Sequence, residues 1–166
     1  RMKIRKIIFF VKKKRFSFAG IKIMSTFAIA NEKQTLQSEC SMPEDKCTLT
    51  MDYCDNVILD HCSISWGRWD NVHIKDANNI TYQNCIISEG IEPQRFGAIT
   101  DGTRNWTISH CLWTNNKSRN PKMKCYLQYY NNVVYNYGIG IVGGHSAADN
   151  YQDVMNNYFI TGPSSG

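Results

Sequence analysis

The most constraining feature of the chain is a segment that recurs five times between residues 56 and 161. Its copies share alternating β-prone residues, a polar pair and a second apolar pair, and they are NVILDHCSIS, NITYQNCIIS, NWTISHCLWT, LQYYNNVVYN and DVMNNYFIT. One position of the segment holds cysteine in the first three copies and asparagine in the last two, and these residues are Cys62, Cys85, Cys111, Asn132 and Asn157. The intervals between successive members are 23, 26, 21 and 25 residues. Self-similarity at such a period indicates a stacked repeat architecture.

Each copy is rich in Val, Ile, Tyr, Trp and Thr and alternates with period two, which predicts short β-strands. Asparagine-rich corners such as 76–79 suit turns, because asparagine tolerates a left-handed backbone. Coils of about 23 residues predict an all-β parallel β-helix, a single solenoid of about five coils whose equivalent residues form ladders. We expect the cysteine column inside and an asparagine column at the turns. The Leu-x-x-Leu-x-Leu frame of leucine-rich repeats is missing, whereas a β-sandwich remains an alternative.

The first 40 residues lack the repeat and differ in charge from the remainder. Residues 1–22 hold nine of the 19 lysines and arginines and no acid, so residues 23–166 carry 10 bases against 14 acids. The overall charge of +5 therefore does not indicate a nucleic-acid partner. We expect residues 1–40 to be a leader or a poorly structured segment, and residues 41–166 to be a β-helix without an end cap, hence a fragment. No apolar run is long enough to predict a membrane span.

Seven cysteines are present, an odd number that cannot all pair internally. No CxxC motif occurs, and His61-Cys62 and His110-Cys111 are adjacent pairs. Neighbours on a strand point to opposite faces, so one metal cannot easily use both members of such a pair. The cysteines are therefore expected to act as small apolar core residues.

Candidate chemistry concentrates in three features of the chain. The run KSRNPKMK holds four cations in eight residues after a coil, with Arg119 and Lys124 expected to converge on one groove that binds carboxylates. The alternative is a solvated surface turn. Acidic residues on adjacent coils could share calcium, although for most of them solubility is the simpler explanation. The insertion over 89–97 contributes Arg95 as a further candidate.

Five motifs resemble, in order, those of pectate lyases of polysaccharide lyase family one. They cover about residues 45–163 and are NVILDHCSISWGRWDNVHI, CIISEGI, ISHCLWTNNKSRNPKMK, NNVVYNYG and GGHSAADNYQDVMNNYFITGP. The DHCS segment with its following SW, and the Arg-x-Pro-x-x-(Arg/Lys) segment, are the most specific parts. The resemblance implies a right-handed parallel β-helix that cleaves de-esterified polygalacturonate by calcium-assisted β-elimination. It further implies a secreted enzyme, expected to act as a monomer.

The same resemblance assigns roles to individual residues. Arg119 would take the proton from C5 of a galacturonate, and Lys124, with Lys122 beside it, would bind a substrate carboxylate. Arg95 lies near the place of a family lysine that pairs with the substrate acid. Asp45 and Asp70 fall at or near calcium ligands. The chain departs from the family at Trp69, His73 and Cys47, which stand at positions where the family often has acidic calcium ligands.

Two other functions are compatible with the sequence. The first is a non-catalytic protein that binds acidic polysaccharide through Arg95, Arg119 and Lys124. The second is a pectin-active glycoside hydrolase, which needs two carboxylates at a defined separation. Asp60 and Asp70 are the possible pair for it.

Overall fold

The computed structural model describes residues 16–18, 47–144 and 150–165, and within them the chain forms sixteen strands and no helix. The strands form three sheets. The first sheet contains, in spatial order, β1 (Phe16–Phe18), β2 (Leu49–Asp52), β5 (Asp70–Lys75), β8 (Phe96–Asp101), β11 (Lys122–Met123) and β14 (Val142–Gly143). The second contains β3 (Asp55–Asp60), β6 (Asn78–Gln83), β9 (Arg104–Ser109), β12 (Tyr126–Tyr130) and β15 (Tyr151–Met155). The third contains β4 (Ser63–Ser65), β7 (Ile86–Ser88), β10 (Leu112–Thr114), β13 (Val133–Tyr135) and β16 (Tyr158–Ile160).

From β2 onward the chain visits the three sheets in turn, so three strands make one coil and five coils are stacked. Pairing between coils is parallel and in register, as in Ile80 with Trp106 and Trp106 with Leu127. The predicted parallel β-helix is therefore confirmed, and parallel pairing at the repeat interval is not the arrangement of a β-sandwich. β1 pairs antiparallel with β2 at the edge of the first sheet. The remainder of the predicted leader over 1–40 lies outside the described residues.

The core is the inside of the solenoid. The inward-facing side chains of each sheet form a column there, and the columns of the three sheets pack against one another. Along β3, β6 and β12 the inward residues are buried and the residues between them are more exposed, whereas β5 and β8 are buried over most of their length. Large aromatic residues fill the middle coils, and Tyr82 packs edge-on against Trp106 with ring centroids 5.3 Å apart. Burial of each such side chain contributes on the order of 2 kcal/mol, which makes stacking of coils the main stabilising interaction.

The predicted cysteine and asparagine column is confirmed at the corner between the second and third sheets. The backbone N–H of Cys85 donates to Sγ of Cys111 at 3.4 Å, and that of Cys111 donates to Oδ1 of Asn132 at 2.9 Å. The backbone N–H of Asn132 donates in turn to Oδ1 of Asn157 at 2.9 Å. All six described cysteines are free thiols. As predicted, they serve mainly as buried core residues, since Cys54, Cys85, Cys111 and Cys125 are buried.

An exposed asparagine ladder follows the outer surface at a second corner. Asn56, Asn79 and Asn105 have φ angles of 60°, 54° and 55°, the left-handed conformation that asparagine tolerates better than most residues. The side-chain amide of each later residue donates to the side-chain oxygen of the earlier one at 3.0 Å. The turn column predicted from the repeat is therefore present. Among the residues described, no helix has the length and apolar character to cross a bilayer.

Candidate functional site

Three of the four cations of the 117–124 run, Arg119, Lys122 and Lys124, come together on the outer face of the first sheet. Lys122 pairs with Ile99 on one side and with Val142 on the other, in an outward-facing position. Desolvation, and then the positive charges of Arg119 and Lys124, lower the pKa of Lys122. The three cations are thus close enough to repel one another, and such an arrangement attracts anions.

Arg119 is held by two contacts and has a left-handed backbone conformation. Its Nη1 donates to Oδ2 and Oδ1 of Asp70 at 3.0 and 3.2 Å. Its guanidinium carbon lies 4.0 Å from the centroid of the Phe96 ring, a cation–π contact. Its φ angle is 59°, which costs a non-glycine residue on the order of 1 kcal/mol. Fifteen other described non-glycine residues, Arg95 and Asn105 among them, occupy the same left-handed region, so this conformation is a recurrent feature of the solenoid.

The segment 96–98 of β8 fixes the backbone of Arg119. The N–H of Gly97 donates to the carbonyl of Ser118 at 2.9 Å, and the N–H of Ala98 donates to the carbonyl of Arg119 at 2.8 Å. A Cβ at Gly97 would lie 2.3 Å from the Arg119 carbonyl oxygen, so only glycine allows this close approach. β8 therefore fixes both the backbone and the side chain of Arg119.

Asp70 is the buried acid of the site, with 1% of its surface exposed. Burial raises its pKa to about 6, against the opposing effect of the Arg119 charge and hydrogen bonds, and then of His73 and Lys122. The thiol of Cys47 lies beside it, and burial raises the pKa of that thiol to about 11. Two of the positions at which the sequence departs from the family, Cys47 and His73, thus lie around Asp70.

A second ion pair holds Lys124. Its Nζ lies 2.5 Å from Oδ1 of Asp101, and Oδ2 of Asp101 lies 3.4 Å from Nε2 of His73. Burial by itself raises the pKa of Asp101, but the hydrogen bond and charge of Lys124, together with His73, outweigh it and lower that pKa. The positive charges of Arg119 and Lys124 therefore both act on Lys122, while Arg119 binds Asp70 and Lys124 binds Asp101. Lys122 takes part in none of the ion pairs between described residues.

Arg95 has a different environment. Its Nη1 lies 3.7 Å from Oε1 of Glu92, and both side chains are exposed to solvent. Its backbone carbonyl accepts a hydrogen bond from the N–H of Lys117 at 2.7 Å, so it helps to anchor the start of the cationic run. Like Arg119, it has a φ angle of 59°.

Buried asparagines support the turn that carries Arg119. The side-chain oxygen of Asn116 accepts from Nδ2 of Asn71 at 2.9 Å and from the N–H of Gly90 at 3.0 Å. Its Nδ2 donates to the carbonyl of Ile87 and to Oδ1 of Asn120, both at 3.0 Å. Four hydrogen bonds from one side chain thus join three coils just beside the cation cluster.

The calcium ion implied by the family resemblance needs six to eight oxygen ligands. Among the described residues no group of three or more His, Cys, Asp or Glu side chains is arranged to hold a metal ion. Both oxygens of Asp70 bind Arg119, and Asp101 is engaged by Lys124 and His73. Asp45 lies outside the described residues. Each described carboxylate of the site therefore already binds a cation of the chain, and the calcium site stays a prediction.

The carboxylate pair considered for a glycoside hydrolase is not assembled on one sheet. Asp60 ends β3 of the second sheet and binds His61 at 2.6 Å and Asn84 at 3.0 Å. Asp70 begins β5 of the first sheet and binds Arg119. No contact between described residues links the two acids, and nothing in the site favours this alternative.

Fold and site together define a class of protein, a parallel β-helix with a cation cluster on one outer face. A curated protein of Aspergillus fumigatus named probable pectate lyase C is 42% identical over 114 residues, which are 67% of this chain and 27% of that protein. Proteins with the same name are 40% identical over 123 residues in Aspergillus terreus and 42% identical over 111 residues in Emericella nidulans. These matches cover 72% and 66% of this chain and 29% and 26% of those proteins.

The resemblance to pectate lyases that the motifs indicate is confirmed by these relatives. The chain spans about a quarter of their length, 27% in the Aspergillus fumigatus protein. No family model and no solved structure matches the chain.

Sequence reasoning missed most of the residues that hold the cations, and it named Asp70 only as a calcium ligand or as one of a hydrolase pair. Phe96 and Gly97 lie in the 89–97 insertion, which was singled out only for Arg95. Asp101 carried no signal, because its partner Lys124 lies 23 residues away and meets it only through the coil register. Glycine next to an aromatic residue at the start of a strand is the one local signal that could have drawn attention to the segment.

Proposed function

We propose that this chain carries the catalytic face of a secreted polysaccharide lyase that cleaves pectate, the de-esterified form of polygalacturonate. The observation that carries the proposal is the cation cluster of Arg119, Lys122 and Lys124 on the outer face of a stacked-coil solenoid. A polymer of sugar acids presents a carboxylate on each unit, and rigidly held cations bind carboxylates. The identity to proteins named pectate lyase over about two thirds of the chain supports the same conclusion.

The proposed reaction is a β-elimination within the polymer. A base removes the proton at C5 of a galacturonate, the electron pair forms the C4–C5 double bond, and the C4–O bond to the neighbouring sugar breaks. The departing oxygen takes a proton from solvent. Negative charge accumulates on the C6 carboxylate as the C5 proton leaves, and cations aimed at that carboxylate stabilise the transition state.

Individual residues take distinct parts in this proposal. Lys122, without an ion-pair partner among the described residues, is available to bind the substrate carboxylate. Lys124 adds a second positive charge and is oriented by Asp101. Arg119, fixed by β8, is the group we assign to the C5 proton. Arg95, at the margin of the cluster, is assigned to a neighbouring sugar acid.

Calcium remains a proposed requirement, with Asp70 and Asp45 as the candidate ligands. It would supply a divalent charge on the sugar acids, and no step above depends on it. Activity measured in chelator and again with added calcium tests the requirement. Equal rates in both conditions would contradict it. We further propose that the protein acts as a monomer, which light scattering of the purified chain would test.

A second candidate function is binding of acidic polysaccharide without cleavage. The observation that favours it is the environment of Arg119: the carboxylate of Asp70 and the face of Phe96 both stabilise a positive charge. Proton removal requires a neutral guanidine, whereas carboxylate binding requires the charged form. The two functions therefore use the same residues and differ in the protonation state that they require of Arg119.

Ultraviolet absorbance of the purified chain with polygalacturonate separates these functions. A lyase produces a conjugated double bond, and the absorbance rises with time. Arg119→Ala is expected to abolish this rise, and the matched control Arg104→Ala, an exposed arginine of β9 on the second sheet, is expected to retain it. A wild-type chain that binds the polymer without any absorbance change at any pH or calcium concentration would reject the lyase and support the binding protein.

A further inference from the structure

Phe96 is the aromatic residue over which Arg119 reaches its partner acid. The register of the first sheet aligns Asp70 with Phe96, and Phe96 pairs with Ser118, the residue before Arg119. Asp70, Phe96 and Ser118 thus occupy the same position in three successive coils. Adjacent parallel strands lie roughly 4.8 Å apart, so the coil of Asp70 is roughly 10 Å from that of Ser118. The Arg119 side chain has to cross the coil of Phe96 to bind Asp70.

The Phe96 ring supports the guanidinium along this path. The guanidinium carbon lies 4.0 Å from the ring centroid, and Nη1 alone makes both hydrogen bonds to Asp70. The guanidinium therefore lies over the ring while its Nη1 is bound to the acid. The side chain of Arg119 keeps 20% of its surface exposed, so part of it is accessible from solvent. Two contacts, one to the ring and one to the acid, together restrict the orientation of a planar group, whereas either one alone leaves a rotation free.

Core packing does not account for Phe96. It is only half-buried, it lies on the outer face of the sheet, and it is not part of the buried apolar cluster inside the solenoid. Its neighbour Gly97 admits the backbone of Arg119, and Ala98 binds the Arg119 carbonyl. Three consecutive residues of β8 therefore each contact the Ser118–Arg119 segment. Such convergence on one functional side chain is how a site is preorganised.

We propose that Phe96 is a positioning residue, whose ring face sets the orientation of the Arg119 guanidinium toward an acidic sugar bound on the first sheet. The identity of the bound molecule as an acidic sugar rests on the proposed function, whereas the contact between Phe96 and Arg119 does not. An aliphatic residue of similar volume would fill the space without orienting the cation. Tyrosine would preserve the ring face, and leucine would not.

Nuclear magnetic resonance of the arginine side chains tests the contact without any need for activity. Protons above an aromatic ring face are shifted upfield, so one arginine resonance of the wild-type chain should be displaced upfield, and Arg119→Lys should remove it. Phe96→Leu is expected to return this resonance to its ordinary position, and Phe96→Tyr is expected to keep it displaced. The matched control Phe159→Leu changes a phenylalanine that packs on Tyr137 in the last coil, and should leave it unchanged. Absence of a displaced resonance in the wild-type chain would overturn the proposal, even if no variant folds.

Kinetics on polygalacturonate test the consequence for the reaction. Phe96→Leu is expected to lower kcat about 10-fold while KM changes less than about threefold, because Lys122 and Lys124 still bind the substrate carboxylate. Phe96→Tyr should recover most of kcat, and Phe159→Leu should match the wild type. Equal kcat for Phe96→Leu and the wild type would overturn the positioning role. If the wild-type chain proves inactive, the proposed function fails, and the arginine resonance and its response to added oligogalacturonate still decide the role of Phe96.

Discussion

Replacement of Asn116 by alanine tests how strongly the buried amide network stabilises the solenoid beside the site. The side chain is 1% exposed and makes four hydrogen bonds of 2.9 to 3.0 Å. Alanine removes all four and leaves the N–H of Gly90, the carbonyl of Ile87, Oδ1 of Asn120 and one amide hydrogen of Asn71 without their partner. Asn116 is not among the residues with positive φ, so alanine adds no backbone strain.

The expected loss follows from these four groups. A buried polar group left unsatisfied costs roughly 1 to 3 kcal/mol, and partial relaxation reduces the sum, so we expect a loss of about 3 to 6 kcal/mol in the free energy of unfolding. Domains of this size are stable by roughly 5 to 15 kcal/mol in total. Asn116→Ala should therefore remove a large share of the stability of the chain.

Urea unfolding followed by circular dichroism measures this loss, provided that the slope of free energy against urea is unchanged. Asn79→Ala is the matched control, because Asn79 belongs to the exposed ladder. It should lose about 1 kcal/mol, mainly from its left-handed backbone. If the two variants differ by less than about 1 kcal/mol, water or relaxation satisfies the groups around Asn116, and the reasoning is refuted.

Three further predictions concern the charged site. Burial raises the pKa of Asp70 to about 6, from 3.8, so the folded chain binds the Asp70 proton more tightly than the unfolded chain does. Protonation of Asp70 therefore stabilises the fold fully below about pH 4, and this stabilisation is lost as the pH rises through 6. Urea unfolding between pH 4 and pH 7 should show a decline in stability of up to roughly 3 kcal/mol that Asp70→Asn removes; an equal decline in both proteins would contradict it. Gly97→Ala should lower stability by about 2 kcal/mol or more and kcat at least about 10-fold, since its Cβ would meet the Arg119 carbonyl; wild-type values in urea unfolding and turnover would contradict this. Asp101→Asn should strengthen binding of polygalacturonate at low salt, because Lys124 loses its counterion; titrations at two ionic strengths would test this, and unchanged affinity would contradict it.

The fold was accessible from sequence because a solenoid is specified by its repeat. Once Cys62, Cys85 and Cys111 were aligned, the pairing in the second and third sheets followed, and the structure has that register there. The later strands of the first sheet pair at other intervals, because the turns on either side of them differ in length. The exposed ladder was accessible for the same reason, since Asn56 and Asn79 stand at equivalent turn positions. In most folds, no repeat in the sequence indicates which distant strands pair with each other.

The connections within the site were less accessible. The cationic run was visible as a cluster, but the partners of its members lie on other coils: Asp70 is 49 residues from Arg119, and Asp101 is 23 residues from Lys124. Which acid meets which cation depends on side-chain reach across coils of unequal length. Phe96 could not be assigned because its role exists only through the two coils on either side of it. The roles of Asp45 and of residues 1–15 and 19–46 stay predictions.

Mass spectrometry of the products from polygalacturonate is the most direct test of the central claim, that the cation cluster on the stacked coils cleaves a polymer of sugar acids by elimination. The account predicts fragments with an unsaturated sugar at the new non-reducing end, each lighter by one water than the corresponding hydrolysis product, and none from Arg119→Ala. Intact polymer, or fragments whose new non-reducing ends are saturated, would contradict it.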